Sequence, residues 1–220
     1  MKKIVFLIAL TLISFASFSQ NSNKAKALLD EVSQKIKKYE NIYIEFNHRL
    51  DNNDADVHQE TRGDVTLKGD LYHLNYMGTE QIFDGKKTYL IVHEDEEVII
   101  QNSKKNNNED DDTLTPSKMF SFYENGYTFK MDELKTTKGV KIQYVKLIPI
   151  DSHSEIKNFI IGVDIKTKHI CNIIETGKNG TITTLEIRSF KTNQPISEKL
   201  FIFDAVKYRD QKKYTISEPK

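Results

Sequence analysis

Short segments of two-residue alternation recur along the chain, and they constrain its fold more than any other feature. Over residues 42–49, Ile42, Ile44 and Phe46 alternate with polar side chains, which is the pattern of a half-buried strand. Segments of this kind follow one another from residue 64 onward, separated by turn signals such as Met77-Gly78 and with few helical patterns between them. This spacing predicts an antiparallel meander.

The alternating segments predict about eleven strands in a single curved sheet or barrel. After 42–49 they lie at 64–68, 71–76, 80–83, 88–92, 97–101, 127–131, 141–148, 158–165, 170–175 and 181–190, with a further candidate at 199–203. The turns between them include Lys68-Gly69-Asp70 and Asp84-Gly85, which favour tight reversals of the chain. No internal repeat or low-complexity linker divides the series, so we expect one domain over residues 20–220.

Two segments have helical character. Ala25, Leu28, Leu29, Val32 and Ile36 recur at three- and four-residue spacing, which predicts an amphipathic helix before the first strand. Thr115-Pro116 and Asn125-Gly126 supply start and stop signals for a short second helix. That helix carries Met119, Phe120, Phe122 and Tyr123. The polar run 102–112 predicts a mobile loop, and the Lys-rich residues 207–220 resemble a tail.

The first residues predict the cellular compartment. Lys2 and Lys3 precede an apolar run from Ile4 to Phe15 and small residues up to Ser19, which is typical of a cleavable secretory signal peptide, residues 1–19. We therefore expect a mature protein in the periplasm. The sole cysteine, Cys171, provides neither a lipidation site at the cleavage point nor an internal disulfide.

Charge and motif spacing argue against nucleic-acid binding and catalysis. Without residues 1–19 the chain keeps 30 basic and 32 acidic side chains, a formal charge of −2, so we expect no nucleic-acid partner. The six histidines are scattered at 48, 58, 73, 93, 153 and 169. No phosphate loop, nucleophile elbow or metal-ligand spacing is present. We expect no catalytic residue, no metal, no cofactor and no enzymatic activity.

One segment resembles the start of a calcium-binding loop, Asp51 to Asp56. Its sixth position is Asp56 where the loop needs glycine, and its twelfth is Arg62 where the loop needs glutamate. We interpret it as a solvated hairpin tip.

Large apolar side chains exceed what a flat two-layer sheet requires. A sheet that curls without closing leaves a concave face lined by every second residue, which helices cover and a ligand can share. Ordinary core packing remains the alternative for each of these residues. They are Phe46, Tyr72, Leu74, Tyr76, Tyr89, Ile91, Phe120, Phe159 and Phe190.

Several short motifs follow one another over nearly all of residues 20–220. They are residues 27–46, Gly63-Asp64-Val65, the segment 82–89 (Ile-Phe-Asp-Gly-Lys-Lys-Thr-Tyr), residues 115–119, Leu147-Ile148-Pro149 and Phe201-Ile202-Phe203. In this order they resemble the LolA family of outer-membrane lipoprotein carriers. Residues 27–46 are similar to the family's opening helix and first strand, 63–65 to the start of its second strand, and 82–89 to its "SDGKTLW" turn, with Phe83 in place of serine. Residues 115–119 correspond to its proline-led lid helix, 147–149 to "L-x-P" and 201–203 to "F-x-F".

This resemblance implies an unclosed (half) antiparallel β-barrel with a helical lid that binds the acyl chains of lipid-modified proteins. Such a carrier, expected to be a monomer, takes lipoproteins from an inner-membrane transporter and passes them to an outer-membrane acceptor. The side chains that we expect to line the cavity belong to the apolar strand face and the lid. They are Phe46, Leu74, Tyr76, Tyr89, Ile91, Met119, Phe120 and Tyr123.

One departure keeps an alternative open. Where the better-studied carriers have arginine followed by proline to latch the lid, this chain has Lys68-Gly69-Asp70. The same fold could therefore serve as a binder or sensor of another lipid or lipopeptide, or as an interaction module for a protein partner.

Overall fold

The computed structural model describes residues 20–102 and 115–218 of the 220-residue chain. The predicted signal peptide and most of the predicted loop at 102–112 lie outside these residues. The first element is the helix α1, residues 20–36, where the sequence predicts it. It buries Ala25, Leu29 and Val32 completely and pairs Lys26 with Asp30 one turn later at 2.9 Å, an arrangement that stabilises helices modestly.

Twelve strands occur within the described residues, one more than expected. They are β1 (Ile42–Asn52), β2 (Val57–Lys68), β3 (Leu71–Tyr76), β4 (Thr79–Phe83), β5 (Lys87–Val92), β6 (Glu97–Asn102), β7 (Tyr127–Thr137), β8 (Val140–Pro149), β9 (Ile156–Asp164), β10 (Ile170–Gly177), β11 (Ile182–Thr192) and β12 (Thr215–Ser217). Their hydrogen-bonded order is β12-β6-β5-β4-β3-β2-β1-β11-β10-β9-β8-β7. Because β12 and β7 each have a single neighbour, the sheet is open, and the predicted unclosed β architecture is confirmed.

Three details of the sequence prediction were wrong. Residues 199–203 do not form a strand; Glu198–Phe201 is a 3₁₀ helix, because the Ser197 side chain accepts a hydrogen bond from the Lys199 amide and starts a turn there. The sheet is not wholly antiparallel, since β12 runs parallel to β6. The chain after residue 203 is also no tail, because Tyr208 lies on a π-helical turn (Lys207–Gln211) and is 2% exposed. We call residues 203–217 the C-terminal segment.

The segment predicted as a lid helix is two short 3₁₀ helices, Pro116–Phe120 and Phe122–Glu124. Proline occupies the first turn, as predicted, but the Thr115 side chain makes no capping bond. Instead, the Thr115 carbonyl accepts a hydrogen bond from the Lys118 amide, and the hydroxyls of Thr115 and Ser117 lie 3.1 Å apart.

By its internal contacts the described chain divides into two compact units. The first unit comprises residues 20–36, 51–57 and 123–184, and it contains α1 and the meander β7 to β10. Val145 on β8 faces Ile161 on β9, which in turn faces Ile173 on β10. These three side chains are buried and form part of an apolar core in this unit.

The second unit comprises residues 37–50, 58–102, 115–122 and 185–218. It contains the hairpins from β2 to β6, whose register determines which side chains share a face. Tyr76 pairs with Thr79 across the two-residue turn Met77-Gly78, and both turn residues have positive φ, 51° and 73°. That geometry belongs to the tight hairpin whose twist matches its strands, and only glycine adopts it without cost.

Candidate functional site

The second unit carries two apolar surfaces on opposite faces of the same strands. Directly paired residues of neighbouring strands point to the same face. Leu74 pairs with Gln81, Gln81 with Leu90, and Leu90 with Ile99. Ile82, Tyr89 and Ile100 form the corresponding row of the other face.

The first face is incompletely covered. On this face Tyr76 of β3 pairs with Thr79 of β4, which pairs with Val92 of β5. The face also carries Phe83, whose ring stacks on that of Tyr72 with 5.5 Å between the ring centroids. All of these apolar side chains except Tyr72 are only half-buried. We call this set the apolar strip: Leu74, Tyr76, Phe83, Leu90, Val92 and Ile99.

Phe46 lies at one end of the apolar strip. Its ring is 5.9 Å from that of Tyr76 and covers the backbone of Gly63 on β2. A Cβ atom at Gly63 would be 2.5 Å from Cζ of Phe46 and 2.7 Å from the carbonyl oxygen of Asn75. The glycine is therefore required for the ring to reach this position.

Met119 and Phe120 are buried in the 3₁₀ helix Pro116–Phe120, which packs against β3. The Phe120 ring meets Phe190 edge-on at 6.2 Å, and Phe190 is 6.4 Å from Tyr39 in the same manner. Offset and edge-on aromatic pairs of this kind stabilise packing beyond the area they bury. The structure therefore places the predicted lid residues Met119 and Phe120 next to a strand of the apolar strip.

Tyr123 belongs to the first unit and is packed there. It is 1% exposed, and its hydroxyl donates to the Leu29 carbonyl of α1 at 3.3 Å. Burial raises the pKa of Tyr123. Beside it, the Ser33 hydroxyl donates to Glu124 at 2.7 Å. Tyr123 is thus a core residue of its own unit.

Tyr89 and Ile91 do not share a face with Leu74 and Tyr76, contrary to the expectation of one common surface. Two residues separate the paired Tyr76 and Thr79, and four separate the paired Phe83 and Thr88. Because both numbers are even, the residues that share a face have even numbers in one strand and odd numbers in the next. Half-buried Leu90 and Val92 take the places expected for Tyr89 and Ile91. Alternation within β5 alone could not distinguish the two, because residues 89–92 are all apolar.

The second face is covered by the C-terminal segment. Ile91, Val98 and Ile100 are buried there with Ile82 and Tyr208, and the Tyr89 ring stacks on Phe203 at 4.6 Å. The Tyr89 hydroxyl donates to Asp84 at 2.9 Å. Burial and this carboxylate raise the pKa of Tyr89 to about 12.

A polar network beneath the C-terminal segment was missed by sequence reasoning. Glu80 lies 2.8 Å from Nε2 of His73, accepts a hydrogen bond from the Tyr208 hydroxyl at 2.7 Å, and lies 3.6 Å from His93. The hydrogen bond with His73, assisted by Tyr208, lowers the pKa of Glu80 to about 2. The only signal in the sequence was two tyrosines, Tyr208 and Tyr214, within a Lys-rich stretch.

Lys68, at the position where the sequence departs from the lid latch of the LolA carriers that it resembles, forms an ion pair with Glu198. Glu198 is the first residue of the 3₁₀ helix Glu198–Phe201, which packs against β3. Both side chains are partly exposed, so the pair contributes little to stability. Lys68 therefore contacts the 3₁₀ helix Glu198–Phe201, which is not the helix that carries Phe120.

A polar cavity of about 570 Å³ lies in the second unit, at the end of the apolar strip where Phe46 and Tyr76 contribute to its wall. Its polar lining comes from alternate positions of β1 and β2, from Asn75 near the end of β3, from His93 directly after β5 and from Arg188 on β11. The side chains are Tyr43, Glu45, Asn47, Arg62, Asp64, Asn75, His93 and Arg188. Asp64 and Asn75 are cross-strand partners joined by a hydrogen bond at 3.0 Å, on the face opposite the apolar strip.

Within residues 20–102 and 115–218, no cluster of three or more histidine, cysteine, aspartate or glutamate side chains could hold a metal ion. Cys171 is half-buried, and burial raises the pKa of its thiol. No helix in the described part of the chain is long and apolar enough to cross a membrane.

No protein-family model and no curated protein matches the sequence. Solved structures match in fold. An uncharacterised conserved protein from Thermus thermophilus aligns with a TM-score of 0.55 and 7% identity, covering 89% of this chain and 99% of that one. The structure of MucB aligns with a TM-score of 0.52 and 12% identity, covering 84% of this chain and 64% of MucB.

The matches also include the LolA superfamily protein NE2245 from Nitrosomonas europaea, with a TM-score of 0.45 and 12% identity over 81% of this chain and 97% of that one. At such identities the likeness concerns the fold alone. The unclosed, mainly β architecture that the sequence motifs imply is confirmed by the order of the strands itself.

Proposed function

We propose that the protein is a periplasmic carrier that binds the acyl chains of lipid-modified proteins along the apolar strip. The observation that carries this proposal is the contrast between the two faces of β4 to β6. Ile82, Ile91 and Val98 are buried under the C-terminal segment, whereas Leu90, Val92 and Ile99 on the other face are only half-buried. A half-covered apolar face is a surface that an acyl chain can complete.

Burial of the acyl chain supplies the affinity without covalent chemistry. Each buried methylene contributes about 0.8 kcal/mol, so about ten methylenes would contribute about 8 kcal/mol before the cost of ordering the chain. The 3₁₀ helix Pro116–Phe120 beside β3 would be the cover that moves, because it is one short turn held by ring contacts such as Phe120 with Phe190. Cargo would pass from an inner-membrane transporter to an outer-membrane acceptor.

A matched pair of substitutions tests this proposal. Ile99→Glu places a carboxylate in the apolar strip, and Ile148→Glu places the same carboxylate at a partly exposed position of β8, where the isoleucine is 43% exposed. The purified proteins would be incubated with membranes that contain a triacylated lipoprotein, and the soluble fraction would be assayed for a complex. Circular dichroism would verify that both variants fold.

The native protein and Ile148→Glu are expected to release soluble lipoprotein, and Ile99→Glu to release at least about tenfold less, because an acyl chain cannot desolvate a carboxylate cheaply. Release of lipoprotein by all three proteins would show that the acyl chains bind outside the apolar strip. Release by none of them, with all three folded, would contradict the carrier proposal.

A second candidate function is the binding of a protein partner, with the sheet serving as an interaction module. The fold likeness to MucB favours it, since a solved structure describes MucB in complex with MucA. A partner that forms a stable complex in which the strip variant Ile99→Glu binds as tightly as the native protein would favour this second function.

A further inference from the structure

The polar cavity has the dimensions and composition of a ligand site that the carrier function does not use. Its volume of about 570 Å³ lies within the range of about 300–1,000 Å³ that is common for small-molecule pockets. Its charged side chains on β1 and β2 belong to the polar face of these strands. Asp64 pairs with Asn75 on this polar face, and the next pair, Val65 with Leu74, lies on the opposite face. The polar face is therefore the reverse side of the apolar side chains of β2 and β3.

The two carboxylates of the cavity already have neutral hydrogen-bond donors. The Tyr43 hydroxyl donates to Glu45 at 3.0 Å, and the Asn75 amide donates to Asp64 at 3.0 Å. Both carboxylates lie close enough to Tyr43 to act on it, since together with burial they raise the pKa of its phenol to about 12. Both side chains line the cavity, and each carboxylate retains unused acceptor positions.

The two guanidinium groups of the cavity have no such partners. Arg62 and Arg188 both line it, and no hydrogen bond or ion pair joins either guanidinium group to another described residue. The cavity thus combines two cations that lack counter-ions with two anions bonded only to neutral groups. A ligand that carries both charges would complement this arrangement.

We propose that this cavity binds a zwitterionic headgroup of the phosphoethanolamine class, with its ammonium at Glu45 and Asp64 and its phosphate at Arg62 and Arg188. Phosphate suits two guanidiniums because its oxygens can accept from two planar donor groups at once, whereas a single guanidinium already satisfies a carboxylate. The source of such a group is either a free soluble headgroup or a phospholipid at a membrane surface.

The experiment uses glycerophosphoethanolamine as the probe and follows backbone amide shifts of the full-length protein by NMR titration. Glycerophosphate, which lacks the ammonium, and inorganic phosphate are run in parallel. The test variant is Arg62→Gln with Arg188→Gln, and the matched control is Lys157→Gln, which removes an exposed charge from β9. A separate flotation assay uses vesicles with and without phosphatidylethanolamine.

We expect saturable shifts at Asp64 and Asn75 with glycerophosphoethanolamine, and weaker binding by at least about tenfold in the double arginine variant, because hydrogen bonds to charged groups are the strong ones. Lys157→Gln should bind as the native protein does. Flotation with phosphatidylethanolamine that needs both arginines would identify a lipid source, and titration without flotation would identify a soluble one.

Three results would overturn the proposal. These are the absence of saturable shifts at β2 and β3, equal binding by the folded double variant, and binding of glycerophosphate or inorganic phosphate as tight as that of glycerophosphoethanolamine. The last result would show a simple anion site, in which Glu45 and Asp64 have no part.

Discussion

The hydroxyl of Tyr208 donates a hydrogen bond to the Glu80 carboxylate at 2.7 Å, which ties the C-terminal segment to strand β4. The same carboxylate is bonded to His73, and Tyr208 is flanked by the rings of Phe203 at 5.4 Å and Tyr214 at 5.5 Å. One acidic side chain and a group of aromatic rings thus hold in place the segment that covers the buried face of β4 to β6. The stability of this cover should depend on the charge of Glu80.

Acid should therefore weaken the fold through Glu80. The folded pKa of about 2 lies below the ordinary value of 4.5, so the carboxylate stabilises the folded protein above pH 4.5, and this contribution disappears as the pH falls toward 2. The shift corresponds to about 3 kcal/mol. Urea unfolding of the native protein at pH 7 and at pH 2.5 should show that loss in addition to the losses from other groups.

Glu80→Gln isolates this contribution. The variant should be less stable at neutral pH and should lose less stability than the native protein between pH 7 and pH 2.5. Glu186→Gln, which alters an exposed carboxylate on β11, should retain the native pH profile. An unchanged profile in Glu80→Gln would show that the cover does not depend on this charge.

Most of the sheet could be predicted from the sequence because its strands alternate and its turns have strong signals. β3 has the predicted bounds, Leu71–Tyr76, since Gly69 and Met77-Gly78 define both of its ends. The C-terminal segment could not be predicted in this way. Its single π-helical turn and the three-residue strand β12 have no period of their own, and they are ordered by packing against β4 to β6.

The candidate site was harder to predict than the fold because it depends on whether the odd- or the even-numbered residues of each strand face it. The apolar run Tyr89-Leu90-Ile91-Val92 fits either face of β5, and only the register with β4, in which Tyr89 faces Ile82, decides between them. A shift of one residue moves every side chain of a strand to the other face. The sequence therefore indicated an apolar sheet surface but assigned both of its β5 residues, Tyr89 and Ile91, to the wrong face.

Neighbouring residues of β5 should accordingly respond differently to truncation. Ile91→Ala empties a fully buried site and should cost about 2–5 kcal/mol of unfolding free energy. Leu90→Ala removes a half-buried group and should cost clearly less, while reducing the binding of a fluorescent fatty acid. Chemical denaturation and a binding titration on both variants measure the contrast, and equal losses of stability would contradict the assignment of faces.

Gly63→Ala should be destabilising although it adds a single methyl group. The new Cβ would meet Cζ of Phe46 at 2.5 Å and the Asn75 carbonyl oxygen at 2.7 Å, and overpacking of this kind costs about 1–3 kcal/mol. Combining it with Phe46→Leu should recover part of the loss, because the ring is one of the two obstacles. Thermal unfolding of both variants and of Phe46→Leu alone completes the cycle, and strict additivity would show that the ring is not involved.

The last prediction concerns the junction between residue 41 and the end of β11. The buried side chain of Asn41 donates to the Gln194 carbonyl and accepts from the Gln194 amide, both at 2.9 Å. Asn41→Ala removes both hydrogen bonds of a buried amide and should cost about 1–2 kcal/mol in urea unfolding, because each intramolecular hydrogen bond contributes roughly 1 kcal/mol. Gln194→Ala keeps those backbone bonds and removes only an exposed side-chain bond to the Thr192 carbonyl, so it should cost less than about 0.5 kcal/mol. Equal costs for the two variants would mean that Asn41 does not hold this junction.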